Sequence, residues 1–154
     1  MSAICLVDTS VFLEILNVPS KATRHQETME QLRERIDENQ EELFLPMATI
    51  LETGNHIGQN GDGHQRRVCA VRFVKQVTLA LEGQSPFKPI RFLQKPELIA
   101  WLKDFPDHAN RGSGLGDLSI IQDWQRICDQ NPNRRVYIWS LDGHLSSYDR
   151  AGLA

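Results

Sequence analysis

The chain has 154 residues, of which 40% are hydrophobic and 24% are charged. This length and composition predict one folded domain over residues 1–154 and exclude an intrinsically disordered chain. Its 17 basic and 20 acidic side chains give a net charge of −3, which excludes an overall basic coat for nucleic acid but not a local basic patch.

Neither a membrane span nor a secretory signal is expected. No apolar run approaches the ~18 residues of a membrane-spanning helix. The first residues, MSAICLVD, lack a basic segment and reach an acid at Asp8, so we do not expect a signal peptide. Three scattered cysteines, Cys5, Cys69 and Cys128, lie among apolar residues and are predicted to be buried thiols in a reducing cytoplasm.

In the first third of the chain, an apolar strand is followed by two helices. Residues 3–7 (AICLV) predict a strand buried on both faces. Ser10 is predicted to cap a short helix, and Thr23 followed by Gln26 resembles a capping box that opens a second helix. The outer face of this second helix is acidic, because residues 24–42 contain seven acids against three arginines.

The middle of the chain continues the alternation of strands and helices. Residues 43–45 predict a short strand, and Pro46 suits the first turn of the following helix. A further helix is predicted over residues 64–81, and residues 86–94 predict a connection with a short strand. Four residues at helical spacing form the predicted apolar stripe of helix 64–81: Val71, Val74, Thr78 and Leu81.

The last third contains two more helices and a second buried strand. Pro96 opens the first of these helices, and residues 111–116 (RGSGLG), the most flexible stretch by composition, precede the second. Residues 136–141 (VYIWSL) predict the strand, which stops before Asp142. This alternation predicts an α/β fold, a three-layer sandwich with a central, mainly parallel sheet flanked by helices.

Four acidic residues stand where the carboxyl ends of the predicted strands meet. Asp8 follows the first strand, and Asp142 follows the last one. Glu52 lies on the helix after the second strand, and Asp117 lies in the first turn of the helix that follows the glycines. Ligands bind at this edge in open α/β sheets. Taken singly, each acid also fits an ordinary role as a turn residue, a helix cap or an exposed side chain.

Clustered carboxylates predict a bound cation. Two carboxylates about 4 Å apart repel each other by about 4 kcal/mol at an effective dielectric constant of about 20. Unless folding scatters or protonates the acids, a cation must offset this repulsion. Because the set contains no His or Cys, Mg²⁺ or Mn²⁺ with oxygen ligands suits it best.

The sequence around these acids resembles the PIN domain, named from the PilT N-terminus. Residues 6–10 (LVDTS) before an apolar helix resemble the opening of that domain. Glu52 after a strand and a proline, Gly-x-x-Asp at residues 114–117 and IWSLD at residues 138–142 continue the match in the same order. The resemblance spans residue 3 to about residue 148.

This resemblance implies a metal-dependent endoribonuclease, and many short members of the family are toxins of the virulence-associated C type in toxin–antitoxin pairs. It implies that the catalytic ligands of Mg²⁺ or Mn²⁺ are Asp8, Glu52, Asp117 and Asp142. It also implies supporting hydroxyl donors at Ser10 and Ser140, although the family more commonly has Thr at the second position. An RNA substrate, a homodimer and an antitoxin partner are implied in the same way.

Basic side chains for binding RNA are predicted in two places. Residues 63–81 contain no acid and four basic side chains: Arg66, Arg67, Arg72 and Lys75. We predict that this helix contacts the RNA backbone, although a solvated face or an ion-pair partner for the acidic helix explains the pattern equally well. Arg111, beside the RGSGLG loop, is the second candidate.

Two other functions are compatible with the sequence. One is a PIN-fold scaffold that binds protein or RNA without cutting it, and the presence of all four acids argues against this function. The other is a phosphatase of the haloacid-dehalogenase type. Its chemistry needs a second acid two residues after the nucleophilic Asp, and here that position is Ser10.

For a toxin, the charges also predict how an antitoxin binds. A basic side chain of the partner would occupy the acidic cleft in place of the metal ion and inhibit the enzyme. We predict that the second helix forms the wall of the partner's groove, through Met29, Leu32 and Ile36.

Overall fold

The computed structural model describes residues 1–153, and it places five strands in one sheet. The strands are β1 (Ile4–Val7), β2 (Glu42–Leu45), β3 (Phe87–Pro89), β4 (Val136–Trp139) and β5 (Asp149–Arg150). They lie in the order β3-β2-β1-β4-β5, and every neighbouring pair is parallel except β4 with β5. The predicted α/β fold with a mainly parallel sheet is therefore confirmed.

The helices connect these strands. They are α1 (Thr9–Ile15), α2 (His25–Arg33), α3 (Met47–Gly58), α4 (Gly63–Leu81), α5 (Lys95–Asn110), α6 (Leu115–Gln130) and α7 (Gly143–Ser146). A π-helical segment, Glu34–Glu38, continues α2. Within residues 1–153, no helix combines the length and the apolar character needed to cross a membrane.

Successive residues of β1 enter two hydrophobic cores on opposite faces of the sheet. Cys5 and Val7 pack in a core that includes Phe12 of α1 and Val77 of α4. Ile4 and Leu6 pack in a second core, with residues of α6 such as Ile120 and Ile127. The period of two in a strand explains this division, and the sheet is the central layer between two layers of helices.

The strand order places a topological switch point beside β1. The chain runs from β1 to β2 on one side, and β4 lies on the other side of β1. At such a point the loops that leave the two central strands diverge, and a crevice opens at the carboxyl edge. The residues that follow Val7 and Trp139 line this crevice.

The predicted capping box of the second helix does not form. The helix begins at His25, and its N-cap residue, Arg24, makes no side-chain capping bond. Instead, the buried carboxylate of Glu14 accepts hydrogen bonds from the backbone N–H groups of Thr23 and Arg24, at 3.0 and 2.8 Å. A carboxylate supplied by α1 thus replaces the local Thr23–Gln26 pair at this helix start.

Two other predicted helix starts differ by one or two positions. Asp8, and not Ser10, is the N-cap of α1, and its side chain accepts the N–H of Ser10. Pro46 is the N-cap residue of α3 in extended conformation and lies just outside the first turn. Both helices therefore form where the sequence predicts them, with starts shifted by one or two residues.

The predicted apolar stripe of α4 is wrong. Val71 and Val74 are both 58% exposed, and Thr78 and Leu81 are also exposed. The buried residues of α4 are Cys69, Val77 and Ala80, which pack against the sheet. Because α4 carries apolar residues on more than one face, the period of 3.6 alone could not identify the buried face.

The three cysteines are buried and free, as predicted. Cys5 lies in β1, Cys69 in α4 and Cys128 near the end of α6. Burial raises the pKa of the Cys5 thiol to about 12, so that this thiol stays protonated and unreactive at neutral pH.

Candidate active site

Asp8 lies at the centre of the carboxyl edge, directly after β1. Its backbone N–H donates to the carbonyl of Trp139 at 3.0 Å, which links the ends of β1 and β4. Its side chain is also the N-cap of α1, and the residue is only 7% exposed. The strand ladder and the helix start together fix the position of this carboxylate.

Two serine hydroxyls hold the Asp8 carboxylate from the two central strands. Ser10 Oγ and Ser140 Oγ donate to Asp8 Oδ2 at 2.9 and 2.7 Å. Each hydroxyl also accepts a backbone N–H of the loop after β4, from Leu141 and Asp142 respectively, both at 2.9 Å. The only proton of each hydroxyl is directed at Asp8, and one Asp8 oxygen, Oδ1, stays free of these bonds.

Glu52 is brought to this carboxylate by two threonines. On α3, Thr49 Oγ1 donates to the carbonyl of Val7 at 2.7 Å, and this buried bond fastens the helix to the end of β1. Glu52 lies one turn further along α3, where its Oε2 accepts the hydroxyl of Thr9 at 3.1 Å. The residue next to Asp8 in sequence therefore orients the second acid.

The start of α6 brings Asp117 to the same place. The N-cap of this helix is Gly114, and Asp117 lies in the first turn. Between them, Gly116 passes so close to Glu52 that a Cβ at position 116 would lie 1.7 Å from Glu52 Oε1. The absence of a side chain at Gly116 is therefore what allows α3 and α6 to present their acids together.

Asp142 forms the outer wall of the site. It is exposed, and its Oδ1 accepts the N–H of His144 at 2.9 Å at the start of the short helix α7. Ser140, two residues earlier, connects the backbone of Asp142 to Asp8. The four predicted acids thus come from four separate chain segments and meet at one edge of the sheet.

Electrostatic repulsion among these acids contributes to raised pKa values at Glu52 and Asp117. Burial raises the pKa of Glu52, and the charges of Asp117 and Asp8 raise it further, while the Thr9 hydrogen bond lowers it. Burial also raises the pKa of Asp117, with added repulsion from Asp8 and Asp142, while His144 lowers it. Asp117 is therefore coupled electrostatically to the other three acids, and Asp8 is coupled to Glu52 and Asp117.

None of the four acids forms a salt bridge with any residue in the described range 1–153. Acids elsewhere in the chain behave differently. Glu42 pairs with Arg134 at 2.8 Å, and the buried Asp123 pairs with Arg126 at 3.2 Å. The carboxyl edge is thus a concentration of negative charge that the protein itself does not neutralise.

The donor set fits a hard divalent cation in its chemistry, because it consists of carboxylate oxygens that repel one another. The side chains are not yet arranged as a coordination shell. Among residues 1–153, no group of three or more His, Cys, Asp or Glu side chains is placed to hold a metal ion.

The predicted basic residues lie in two different places. Arg111 lines a cavity together with Asp117 and Asp142. Arg66 and Arg67 instead lie beside a cavity of about 560 Å³ between α3 and α4. Two further exposed basic side chains lie on α4: Arg72 and Lys75. None of the five pairs with an acid in the part of the chain that is described, so α4 does not serve as an ion-pair partner for the acidic helix within this chain.

The three residues predicted to form a docking wall for a partner pack largely against the protein's own core. Leu32 of α2 is buried in the first core, and Met29 and Ile36 pack against that core from the side. The exposed face of α2 is charged and offers no apolar anchor of this kind. Met29, Leu32 and Ile36 lie on one side of the helix as predicted, but this side faces the first core of the protein.

Sequence reasoning missed three residues that position the acids. Thr9 and Thr49 act through single hydroxyl bonds, and Gly116 acts through its missing side chain. Thr9 stands inside the LVDTS motif, so a signal for it was present. No pattern in the sequence points to Thr49, because its partner is a backbone carbonyl 42 residues away.

Comparison of the chain with models of known protein families, with curated proteins and with solved structures finds no match.

Proposed function

We propose that this protein is a metal-dependent endoribonuclease. The main support is the meeting of four carboxylates at the carboxyl edge of β1 and β4, without a salt-bridge partner within residues 1–153. Elsewhere in residues 1–153, buried acids have partners, as Asp123 has in Arg126 and Glu14 in two backbone N–H groups, whereas the shielded acids of this edge have no basic partner and would be stabilised by a cation. Their order along the chain and the serine pair agree with the PIN-domain resemblance.

In this proposal, Asp8, Glu52, Asp117 and Asp142 hold Mg²⁺ or Mn²⁺. Such an ion, once bound, would supply a means to acidify a water molecule and to neutralise charge on the phosphodiester. Ser10 and Ser140 hold Asp8 Oδ2, which leaves Oδ1 free of these bonds. Thr9 orients Oε2 of Glu52 in a similar way. The chain's own contribution is to bring negatively charged oxygen atoms to one edge of the sheet before the substrate arrives.

The test is cleavage of single-stranded and structured RNA, with Mn²⁺, with Mg²⁺ and with EDTA. We expect cleavage only with a divalent ion, and at least about 100-fold slower cleavage by Asp117→Asn, since a metal ion supplies several kcal/mol of charge stabilisation. Asp104→Asn on the exposed face of α5 removes the same charge and should cleave normally. Unchanged cleavage in EDTA would contradict the proposed dependence on a metal ion. Cleavage of a DNA of the same sequence but not of the RNA would contradict the proposal that RNA is the substrate.

A second candidate is a scaffold that binds RNA or protein without cutting it. The observation in its favour is that, within residues 1–153, the acids are not arranged as a finished metal shell. The same assay separates the two candidates. A scaffold would bind RNA with and without Mn²⁺, would cleave nothing, and would show no heat of Mn²⁺ binding that depends on Asp117.

We further propose that the nuclease is the toxin of a toxin–antitoxin pair in the cytoplasm and forms a homodimer. Exposed apolar side chains around a cleft between α3, α5 and α6 support self-association: Met47, Leu51, Leu93, Leu98 and Leu115. Light scattering after size exclusion tests the dimer. A short reading frame directly upstream, whose product binds this protein and blocks cleavage, would support the toxin assignment.

A further inference from the structure

A cavity of about 310 Å³ opens on the outer side of the acid cluster. Asp117 and Asp142 form one wall of it. The other residues that line it belong to the end of α5, to α7 and to the turn after α7: His108, Arg111, Gly112, Ser113, His144 and Tyr148. Carboxylates therefore face a wall that contains a guanidinium, two imidazoles and a phenol.

Arg111 is held at this cavity by the way α5 ends. Gly112 adopts a positive φ of 82°, and its N–H bonds to the carbonyl of Ala109 at 3.0 Å. The N–H of Ser113 bonds to the carbonyl of His108 at 2.9 Å, which completes a Schellman motif. The stretch predicted to be flexible is thus a hydrogen-bonded helix end, and it gives Arg111 a defined backbone position.

His144 is supported from the core by a chain of aromatic contacts. Trp124 of α6 donates its indole N–H to the carbonyl of Val136 at 3.0 Å. Its ring packs edge-on against Tyr148 at 5.3 Å between centroids, and Tyr148 packs edge-on against His144 at 5.8 Å. The imidazole on this wall is therefore backed by rigid packing.

Two features of the cavity point to a polar ligand. Arg111 forms no salt bridge within the described residues 1–153, although two carboxylates line the same cavity. Ser113 Oγ is shielded from solvent and has no hydrogen-bond partner in this part of the chain. The guanidinium without a salt-bridge partner suits a phosphate group, whereas the Ser113 hydroxyl would have to turn into the cavity before it could donate to a ligand.

We propose that this cavity binds the nucleotide next to the scissile phosphate of a single-stranded RNA, with Arg111 on its phosphate and His144 beside its base. The inference rests on the proposed nuclease function and deepens it. A volume of about 310 Å³ is at the small end of the range for ligand sites, so the cavity holds one nucleotide and excludes a duplex. Arg111 offsets the repulsion between the acid wall and the incoming strand.

The test measures RNA binding separately from cleavage. In an Asp8→Asn background with Mn²⁺, the affinity for a short labelled single-stranded RNA is measured over a range of salt concentrations. Arg111→Ala should weaken binding about tenfold and reduce the salt slope by about 0.7, as expected for one lost phosphate contact. Arg111→Lys should restore the slope, and His144→Ala should weaken binding without changing it.

Lys103→Ala is the matched control, because it removes one charge from an exposed position on the same helix. It should leave both affinity and slope unchanged. In the otherwise unmodified enzyme, Arg111→Ala should raise KM with little change in kcat, whereas Asp142→Asn should lower kcat. An Arg111→Ala protein with normal melting temperature, affinity and slope would overturn the subsite.

The two proposals fail in different ways. If the protein binds RNA through Arg111 but cleaves nothing with any divalent ion, the nuclease function is wrong, and the cavity is a nucleotide site of a binding protein. If the protein cleaves RNA and the Arg111 and His144 variants bind it as tightly as the parent, the nuclease stands and the subsite is wrong.

Discussion

The carboxylate of Glu52 occupies the space that a side chain at position 116 would fill, and Gly116 has no side chain. A Cβ at position 116 would lie 1.7 Å from Oε1 and 2.7 Å from the carboxyl carbon of Glu52. The atoms that would have to move are the far end of a flexible side chain, and no backbone atom is in the way. The conflict therefore concerns the position of the Glu52 carboxylate and hardly concerns the fold.

We expect Gly116→Ala to separate activity from stability. The methyl group should displace the Glu52 carboxylate from Asp8 and Asp117 and reduce Mn²⁺ affinity and cleavage by about tenfold or more, as changes in the support of metal ligands do. The melting temperature should not fall, because Ala is favoured over Gly in a helix. Calorimetric titration with Mn²⁺ and thermal unfolding measure the two effects.

Gly114→Ala is the matched control for this variant. It lies two residues earlier, its conformation is extended, and a Cβ there meets nothing within 4 Å. As a change at an N-cap it should cost at most about 1 kcal/mol and leave Mn²⁺ binding intact. Equal loss of Mn²⁺ affinity in both variants would show that the contact with Glu52 is not the reason.

The two serines that hold Asp8 should not contribute independently. Each donates to the same oxygen, Asp8 Oδ2, and each also accepts an N–H of the loop after β4. Ser140→Ala should cost about 1 to 2 kcal/mol in the free energy of unfolding, because it removes a hydrogen bond to the buried Asp8 carboxylate, whereas water can replace the partner of the exposed Asp142 N–H. Denaturant unfolding measures this cost.

A double-mutant cycle tests the coupling of Ser10 and Ser140. We expect the double Ala variant to lose less than the sum of the two single losses, since either single change already loosens Asp8 Oδ2 and the loop after β4, so that the second hydroxyl then contributes less. Ser140→Thr, which keeps the hydroxyl, should retain cleavage. Strict additivity, or a Thr variant as damaged as the Ala variant, would contradict the shared role.

The four acids could be predicted from sequence because Asp8 and Asp142 follow strands, Asp117 lies in the first turn of a helix, and Glu52 lies on the helix after β2. Asp8 and Asp142 follow apolar runs, and the rule that ligands bind at the carboxyl edge then brings them together. The positions of Glu52 and Asp117 followed from the next helices in chain order. The parallel topology explains why these acids lie near one another, because the carboxyl ends of the central strands all lie at one edge of the sheet.

Features that depend on tertiary packing could not be predicted from the sequence. The face of α4 that becomes buried depends on the sheet beneath it, and α4 carries apolar residues on both faces. The buried Glu14 serves a turn nine and ten residues away, and its environment is set by packing rather than by local sequence. Arg35 lies in the π-helical segment, where its guanidinium stacks on Trp139 at 3.8 Å, and nothing in the spacing indicates that contact.

The raised pKa values of Glu52 and Asp117 predict how the metal-free protein responds to pH. An acid whose pKa is higher in the folded state binds more protons there than in the unfolded state, so stability falls as the pH rises from the ordinary pKa through the raised one. Glu52→Gln removes this effect at one position. The variant should match the parent at low pH and exceed its stability at neutral pH.

Comparison of the two proteins at each pH removes the contributions of acids that are not coupled to Glu52, such as Asp123, and leaves Glu52 with its coupling to Asp8 and Asp117. Glu52 is only half-buried, so screening by solvent keeps the gain below about 1 kcal/mol. Saturating Mn²⁺ should reverse the order of the two proteins. Glu30→Gln on the exposed face of α2 is the control and should show no such crossover.

The basic side chains of α4 predict a second contact that only a longer RNA reaches. Arg66 and Arg67 lie beside the cavity between α3 and α4, away from the cavity that Arg111 lines. Because the guanidinium of Arg66 also donates to the carbonyl of Asn60, Arg67 is the freer of the two. Arg66→Ala combined with Arg67→Ala should reduce the salt slope by about 0.7 to 1.4 for a long single-stranded RNA.

The same double variant should leave the slope unchanged for a short RNA that fills only the Arg111 cavity. This dependence on length distinguishes a second contact along the strand from a general loss of positive charge. Arg24→Ala combined with Arg33→Ala on α2 removes the same charge from exposed positions and should not change either slope. If the α2 pair and the α4 pair lower the slope equally, only net charge matters, and α4 has no specific role in binding RNA.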